Sequence, residues 1–427
     1  MSGQSQAAAL LAWADERFGP LGALRERRLG LPEPAWWYSA ARLARFPAGN
    51  LFSPQPLTCA GASLDQREAR WRALGEGVER YCALNAVPQG KQATLRQAGL
   101  AGRWPTCAPD EPCPATLRTP PLDTPITQVW ARRLADDSGV LVPAATVYPT
   151  FQPPAGEPVV ALPISSGLAF ARDLATALWR GLCEVAERDA IMLMWWGKTS
   201  TPEIATTGAG VPARVADRVE RLLAVGLRPR LFDITTDFRV PTVFCVVTGA
   251  RYPCLVVGAG CHHDPAHACA KALDEAVALR VMLRDQPATA QPPVVPGDVH
   301  RLLDHALFYA GTPQYPAFDF LLGAGRSAPV SFAAFARQAW WPVPGDLPAL
   351  ARFAAARERD GLTVIWADLT LPEAAPFGRV VKVIVPEMVP LSEDHAARWL
   401  GTPRLLARAG LAAASAAHFN PYPHPFP

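Results

Sequence analysis

The chain has 427 residues, half of them hydrophobic, and its formal net charge at pH 7 is only +3. A charge so close to zero gives no general attraction to nucleic acid or to a membrane surface, and the length is sufficient for a large buried core. The sequence has no apolar run of membrane-spanning length and no basic segment followed by an apolar one near residue 1. These features predict a cytoplasmic protein without nucleic-acid or membrane partners.

Two parts of the chain are predicted. Residues 1–50 form a helical N-terminal extension, with one helix from Gln6 to Phe18, and residues 51–427 form the main domain. A proline-rich stretch from Trp104 to Pro125 is predicted to be a surface loop or an insertion. The first long helix of the main domain follows Ser63 and Gln66, which are spaced like a capping box, and it carries Glu76, Glu79 and Arg80.

A second helix repeats this pattern. Asp173 is a predicted N-cap, and the helix after it carries Glu184, Glu187 and Arg188 beside an apolar stripe. Residues three apart on a helix share a face, so each pair of carboxylates points the same way. Either both pairs are solvated helix faces, or the two helices face each other and pool four carboxylates. In the second case the carboxylates raise each other's pKa and need counter-cations, for which magnesium is suited.

The remaining pattern mixes strands and helices. Strands are predicted at 140–148, 159–164, 228–235, 240–248, 252–259, 362–366 and 379–385. A third helix is predicted after Asp264 and Pro265, and shorter helices at 300–307, 332–340 and 347–360. This order predicts an α/β class of the mixed α+β kind, and no repeat typical of a solenoid is present.

Several blocks of this sequence resemble the YcaO family. The two signature blocks are GASLDQREARWRALGEGVERYCA and PISSGLAFARDLATALWRGLCEVAERDAIMLMWW, and the resemblance extends from Cys59 to Pro427. It implies a YcaO-like fold with mixed sheets and glutamate-bearing helices around an ATP cleft, with ATP and Mg²⁺ as cofactors. The metal ligands that it implies are Glu76, Glu79, Glu184 and Glu187. The implied ATP- and phosphate-binding residues are Arg80, Arg188, Lys271, Glu275, Arg280 and Ser166.

The last seven residues, PYPHPFP, alternate with proline. Alternating prolines favour a stiff polyproline II segment. A generic terminus with this composition would be a frayed end that contributes little to the core. The resemblance instead implies that the segment enters the active-site region, where Pro423, Pro425 and the carboxylate of Pro427 act in catalysis.

The resemblance implies an ATP-dependent cyclodehydratase, or heterocyclase, that forms azoline rings from Cys, Ser or Thr in a ribosomally made precursor peptide. The alternatives are thioamide or amidine formation, or a catalytically silent scaffold. The scaffold is motivated by departures from the family pattern at Ala62, Arg72, Ser166 and Ala278. The implied partners are the precursor peptide, a separate ThiF-like leader-binding protein and a flavin dehydrogenase, with the chain a homodimer within that larger complex.

Overall fold

The computed structural model describes residues 10–15, 19–43, 58–100, 102–286, 292–312, 315–338 and 345–427. Its strands form three sheets, and all strand pairings within these sheets are antiparallel. The predicted mixed α+β class is therefore confirmed. Most of the predicted helix from Gln6 to Phe18 lies outside the described residues.

The first sheet has three strands in the order β1-β2-β3. These strands are β1 Arg25–Arg28, β2 Trp37–Arg42 and β3 Thr58–Ser63. The sequence analysis described residues 1–50 as helical and missed β1 and β2, which place part of this segment in a sheet with β3. The division at residue 50 itself stays a prediction.

The other two sheets form the centre of the molecule. The third sheet has the order β4-β5-β12-β13-β7, with β6 on β5; the second has the order β11-β10-β9-β8. Their strands are β4 Lys91–Ala93, β5 Ile126–Arg133, β6 Gly139–Pro143, β7 Leu168–Ala171, β8 Glu203–Ile204, β9 Arg228–Asp233, β10 Thr242–Thr248, β11 Leu255–Cys261, β12 Ile365–Asp368 and β13 Arg379–Ile384. Strands β10 and β11 are continuous apolar runs, as expected for strands that are covered on both faces.

Three long helices carry the candidate site: α1 Gln66–Asn85, α4 Leu174–Trp196 and α6 Pro265–Arg284. The other helices are α2 Ala115–Arg118, α3 Ala144–Val147, α5 Ala213–Ala224, α7 Leu302–Tyr309, α8 Asp319–Leu322, α9 Phe332–Ala336, α10 Leu347–Arg359 and α11 Pro403–Ala409. Within the described residues, no helix is both long and apolar enough to cross a membrane.

Helix α4 is the centre of the fold. It contacts β13 and β7 of the third sheet and β10 and β11 of the second. Every residue from Asp189 to Trp196 is buried, which is typical of a helix surrounded by protein on all sides. Its first turn is capped by Asp173, whose carboxylate accepts a hydrogen bond from the Thr176 amide at 2.8 Å, as predicted. The glutamates of α4 therefore lie on a rigid element.

Three local predictions were wrong. Helix α1 is capped by Asp65, which accepts from the Glu68 amide, whereas Ser63 donates to the Glu68 side chain. Residues 159–164 form no strand, and the strand in this part of the chain is β7, which begins at Leu168. The segment 104–125 is not merely a surface loop, because Trp104, Cys107, Glu111 and other residues in it are buried.

Candidate functional site

The three long helices repeat one geometry. Each is preceded by a strand and capped by an aspartate, and each carries a glutamate eleven residues after its cap: Asp65 and Glu76, Asp173 and Glu184, Asp264 and Glu275. Eleven residues are about three helical turns, so each glutamate lies on the same face as its cap. The sequence analysis recognised two of these units and missed that the third shares their spacing.

Helices α1 and α6 pack against the strands before them at very short range. A Cβ atom at Gly61 would lie 2.3 Å from the Ala69 carbonyl oxygen, and one at Gly260 would lie 2.1 Å from that of Ala268. Only glycine permits this approach. It brings Glu76 to the backbone amide of Ala60, at 2.9 Å, and it likewise brings Glu275 to the amide of Ala259, at 3.4 Å. The close contact between strand and helix thus fixes the position of each carboxylate relative to the preceding strand.

Glu76, Glu79 and Glu184 form the first carboxylate group. Burial raises the pKa of Glu76, and the nearby Glu184 charge raises it further, while Arg80 at 3.6 Å opposes the shift. The pKa of Glu79 is raised well above its usual value, again chiefly by burial and in addition by Glu184 and Glu76. These shifts indicate that α1 and α4 bring carboxylates together, and that the positive charge beside them does not fully offset their burial and mutual repulsion.

Lys382 of β13 faces this carboxylate group. Its ammonium donates to the carbonyl oxygens of Ile164 and Ser166, both at 2.6 Å. Burial lowers the pKa of Lys382 to about 7, although the charges of Glu184 and Glu79 act in the opposite direction. The sequence analysis missed Lys382, whose apolar strand context gave no signal. It did name Ser166, which the structure brings to the site through its carbonyl group.

Glu187, Lys271 and Glu275 form the second charged group, between α4 and α6. The carboxylate of Glu187 is completely buried and accepts from Lys271 Nζ and from the Cys261 amide, each at 2.8 Å. Burial alone would raise the pKa of Glu187, but Lys271 and Arg188 more than offset it, so its pKa is below the usual value. Lys271 also lies 3.3 Å from Glu275. The structure thus brings these three predicted residues together.

Arg188 connects the two groups, with Nη2 3.7 Å from Glu184 and Nη1 3.6 Å from Glu187. Neither distance is a hydrogen bond. The Nε and Nη1 atoms of Arg188 and the Oε1 atom of Glu187 are buried and have no hydrogen-bond partner. Such atoms are costly to leave unsatisfied. A phosphate group that accepts hydrogen bonds from Arg188 and a cation bound by Glu187 would give all of these atoms a partner. The residues therefore fit a nucleotide bound with magnesium.

Among the described residues, side chains alone do not preform a magnesium site. In the parts of the chain that the structure describes, no three carboxylate, imidazole or thiol groups are placed to hold a metal ion. The predicted pool of four carboxylates is instead divided, because Lys271 holds Glu187 in the second group. Magnesium commonly keeps several waters and binds through one or two carboxylates together with substrate phosphates. The divided arrangement is compatible with that kind of site.

The placement of Arg280 contradicts its predicted contact with phosphate. Its guanidinium is 3% exposed and paired with Glu33, with Nε 2.6 Å from Oε2, and it also donates to the Pro253 carbonyl. Glu33 precedes β2 and is itself buried, and Arg284 contacts it as well. Arg280 is therefore occupied in holding the N-terminal segment against α6.

We expect Glu33→Ala to lower the melting temperature markedly and to leave ATP affinity within about threefold of the wild type. Removing one member of a buried ion pair costs about 3–5 kcal/mol, because the other charge is left buried and unpaired. Thermal melting and calorimetric titration with ATP and Mg²⁺ measure both quantities. A large loss of ATP affinity at an unchanged melting temperature would instead assign Arg280 to the nucleotide site.

The departure at Arg72 has a structural explanation. Its guanidinium donates to the Ala62 carbonyl at 2.7 Å, to Glu68 at 2.7 Å and to Asp274 of α6 at 3.0 Å. Asp274 in turn accepts from Arg218 and from the indole of Trp36. Arg72 thus connects α1 to α6 and holds together the two helices that carry Glu76 and Glu275.

The C-terminal segment is packed into the molecule, and Pro423 to Phe426 are buried. Proline cannot donate a backbone hydrogen bond, and here four carbonyl groups accept from side chains instead. The carbonyls of residues 421 to 424 accept in order from His395 at 3.1 Å, Trp195 at 3.1 Å, Tyr309 at 2.6 Å and His305 at 2.8 Å. Phe426 then lies against the Arg188 guanidinium, 4.1 Å from ring centroid to Cζ. The frayed-end alternative is therefore wrong, and so is the expectation of little core contribution.

A family model described as YcaO cyclodehydratase, ATP- and Mg²⁺-binding, matches residues 60–389. The chain belongs to the YcaO family. The matched range includes all three glutamate helices, so the two charged groups and Arg188 occupy the part of this YcaO chain that defines the family.

The chain is also similar to individual proteins and solved structures. A protein of Methanothermobacter thermautotrophicus, described as uncharacterized, is 30% identical over 222 residues, which are 51% of this chain and 55% of the relative. A heterocyclase solved in complex with substrate and cofactor has a TM-score of 0.77 at 19% identity, covering 99% of this chain and 57% of that one. This chain therefore spans little more than half the length of either protein.

Two further structures cover nearly equal shares of both chains. The YcaO protein of Methanopyrus kandleri, bound with AMPPCP and Mg²⁺, has a TM-score of 0.63 at 22% identity and covers 90% of each chain. A chain of the E. coli microcin synthetase McbBCD complex has a TM-score of 0.62 at 14% identity, covering 95% of this chain and 96% of that one. At these low sequence identities, the structural similarity establishes that this chain has the YcaO fold.

Proposed function

We propose that this chain is an ATP-dependent cyclodehydratase that forms azoline rings in a ribosomally made peptide. The observation that carries the proposal is a pair of unsatisfied groups on neighbouring residues of α4, Glu187 Oε1 and the Arg188 guanidinium, where the two charged groups meet. In the proposed reaction the side chain of Cys, Ser or Thr forms a bond to the preceding carbonyl carbon. The carbonyl oxygen leaves as phosphate, ADP is the other product, and the amide and thiol or hydroxyl protons are released.

The residues have separate proposed roles. When bound, ATP supplies the phosphoryl group and Mg²⁺ offsets phosphate charge. Glu76, Glu79 and Glu184 of the first group and Glu187 of the second would supply the metal ligands, and Arg80, Arg188, Lys271, Glu275 and Ser166 would surround the nucleotide. Arg188 donates to anionic oxygen at the reacting centre, and Lys271 keeps Glu187 ionised through their 2.8 Å contact. No side chain of this protein needs to act as nucleophile, because the substrate supplies its own.

The C-terminal segment has a proposed catalytic role as well. Pro423 and Pro425 hold the segment on one path, and Pro427 follows Phe426, which already contacts Arg188. Burial lowers the pKa of His305 to about 4, so this ring is neutral near pH 7, and it donates to the His424 carbonyl without adding charge to the segment. We propose that Pro427 acts beside the reacting amide as a proton acceptor or as an anchor for the substrate.

The proposed partners are the precursor peptide and a ThiF-like protein that binds its leader, with a flavin dehydrogenase in the same complex if azoles are the final product. A homodimer of this chain would form part of that assembly. The likeness to the microcin synthetase complex and to a heterocyclase with bound substrate supports partners of this kind. A flexible peptide needs binding energy from outside the cleft to be positioned for reaction.

Mass spectrometry of a precursor peptide incubated with the chain, ATP, Mg²⁺ and the leader-binding partner tests the function. We expect each modification to remove one water from the peptide, and we expect the rate to fall to nearly nothing without the partner. Replacement of oxygen by sulfur or nitrogen would indicate thioamide or amidine formation instead. An unchanged peptide together with absent ATP turnover would support the scaffold alternative.

A further inference from the structure

A cavity of about 90 Å³ adjoins the site, and none of the groups assigned above fills it. Its apolar wall comes from five separate segments and includes Leu162, Val185, Val383, Met388, Leu391 and Trp399. A single water needs only about 10–15 Å³ of such space, so the cavity has room for a larger group. We call it the side-chain cavity.

The polar residues that line the side-chain cavity are Arg188, Lys382, Ser166 and Thr146. Arg188 also lies within 3.7 Å of both Glu184 and Glu187, and Lys382 faces the first carboxylate group. Anything bound between the carboxylates and Arg188 is therefore within one side-chain length of the cavity. The two sites share a wall.

We propose that the side-chain cavity receives the side chain of the residue immediately before the cyclised Cys, Ser or Thr, and that it selects an apolar one. This inference rests on the proposed function. The reacting carbonyl group belongs to that preceding residue, so its Cα is bonded directly to the carbon that is attacked. With the carbonyl oxygen against Arg188, its side chain is the part of the substrate nearest to the cavity.

The lining decides the chemical class of this side chain. A polar group placed among Leu162, Val383 and Met388 would lose its hydrogen bonds to water without replacement. The two cations that line the cavity offer it little: Lys382 Nζ already donates to two carbonyl oxygens at 2.6 Å, and in the proposed complex Arg188 donates to the reacting carbonyl oxygen. An aliphatic side chain can replace water in the cavity without losing any hydrogen bonds. A difference of one methylene group in an apolar pocket already changes the preference between two substrates by about 10-fold or more.

The experiment uses two capped dipeptides, acetyl-Leu-Cys-amide and acetyl-Gly-Cys-amide, with the full chain, Mg²⁺ and a non-hydrolysable ATP analogue. Saturation-transfer NMR gives the affinity of each peptide. Leu162→Trp fills the half-buried edge of the cavity, and Leu223→Trp, 49% exposed on α5, is the matched control. We expect the wild type and the control to prefer the leucine peptide by about 10-fold or more, and Leu162→Trp to lose this preference.

The wild-type comparison needs no variant and stands even if Leu162→Trp does not fold. Equal affinity for the two peptides, or no saturation of the leucine methyl groups, would overturn the inference. So would a selective loss of affinity for the ATP analogue in Leu162→Trp, which would assign the cavity to the nucleotide. Failure of the wild type to bind the ATP analogue with Mg²⁺ in calorimetry would contradict the proposed function separately, whatever the peptide preference.

Discussion

Replacing Glu187 by Gln is expected to weaken binding of ATP with Mg²⁺ by at least about 100-fold. The carboxylate is the only one of the four glutamates that is completely buried, and it holds Lys271 while leaving Oε1 free toward Arg188. The amide has the same shape but no charge, so it binds the metal much more weakly and cannot offset the charge of Lys271. Loss of an outer-sphere contact alone reduces metal affinity about 10–100-fold, and loss of a ligand costs more.

Calorimetric titration of ATP with and without Mg²⁺ measures this effect. Glu220→Gln is the matched control, because it makes the same chemical change on an exposed face of α5. We expect the control to bind like the wild type and Glu187→Gln to keep a cooperative melting transition. ATP affinity equal to that of the wild type in a folded Glu187→Gln variant would refute the metal-site assignment.

Deleting Pro427 alone is expected to reduce cyclisation by at least about 100-fold, the usual scale for loss of a positioned catalytic group. Deleting Pro423 to Pro427 removes the same activity and also destabilises the fold. The structure gives the reason for the difference. Pro427 is half-buried and follows the last buried residue, whereas the longer deletion also removes His424 and Phe426, which are 0% and 4% exposed.

Peptide modification and thermal melting, measured on both deletions, separate the two effects. The matched control is Tyr309→Phe, which removes only the hydroxyl that donates to the Pro423 carbonyl. We expect it to lower the melting temperature slightly while retaining most of the activity. If the Pro427 deletion cyclises peptide at the wild-type rate, the segment is a structural element and has no catalytic part.

The sequence was informative where its signals are local. The aspartate caps of α4 and α6 and the spacing of Glu184 and Glu187 on α4 follow from helix geometry, and the structure has them. Strand β7 was missed because its beginning looks like a turn of small residues. Gly167 adopts φ of +85° there, and a Cβ atom would lie 2.1 Å from the Val383 carbonyl oxygen. The requirement for glycine at this position becomes clear only from its contact with the neighbouring strand β13.

Other features depend on partners far along the chain. The partner of Arg280 is Glu33, 247 residues away, so no local pattern distinguishes a structural arginine from a phosphate ligand. The docking of the C-terminal segment depends likewise on Trp195 and Tyr309, whose donors reach its carbonyl groups across the fold. Strand β5, ITQVWARR, was missed because it ends in two arginines and follows a proline-rich stretch.

The central claim is that this chain activates a backbone amide by transferring phosphate to its oxygen. The most direct measurement uses a precursor peptide with heavy oxygen in the carbonyl group before a cyclisable cysteine. After reaction with ATP, Mg²⁺ and the leader-binding partner, mass spectrometry locates the label. We predict one labelled oxygen in inorganic phosphate for each water lost from the peptide. Label recovered in bulk water, or ring formation without ATP consumption, would contradict the account.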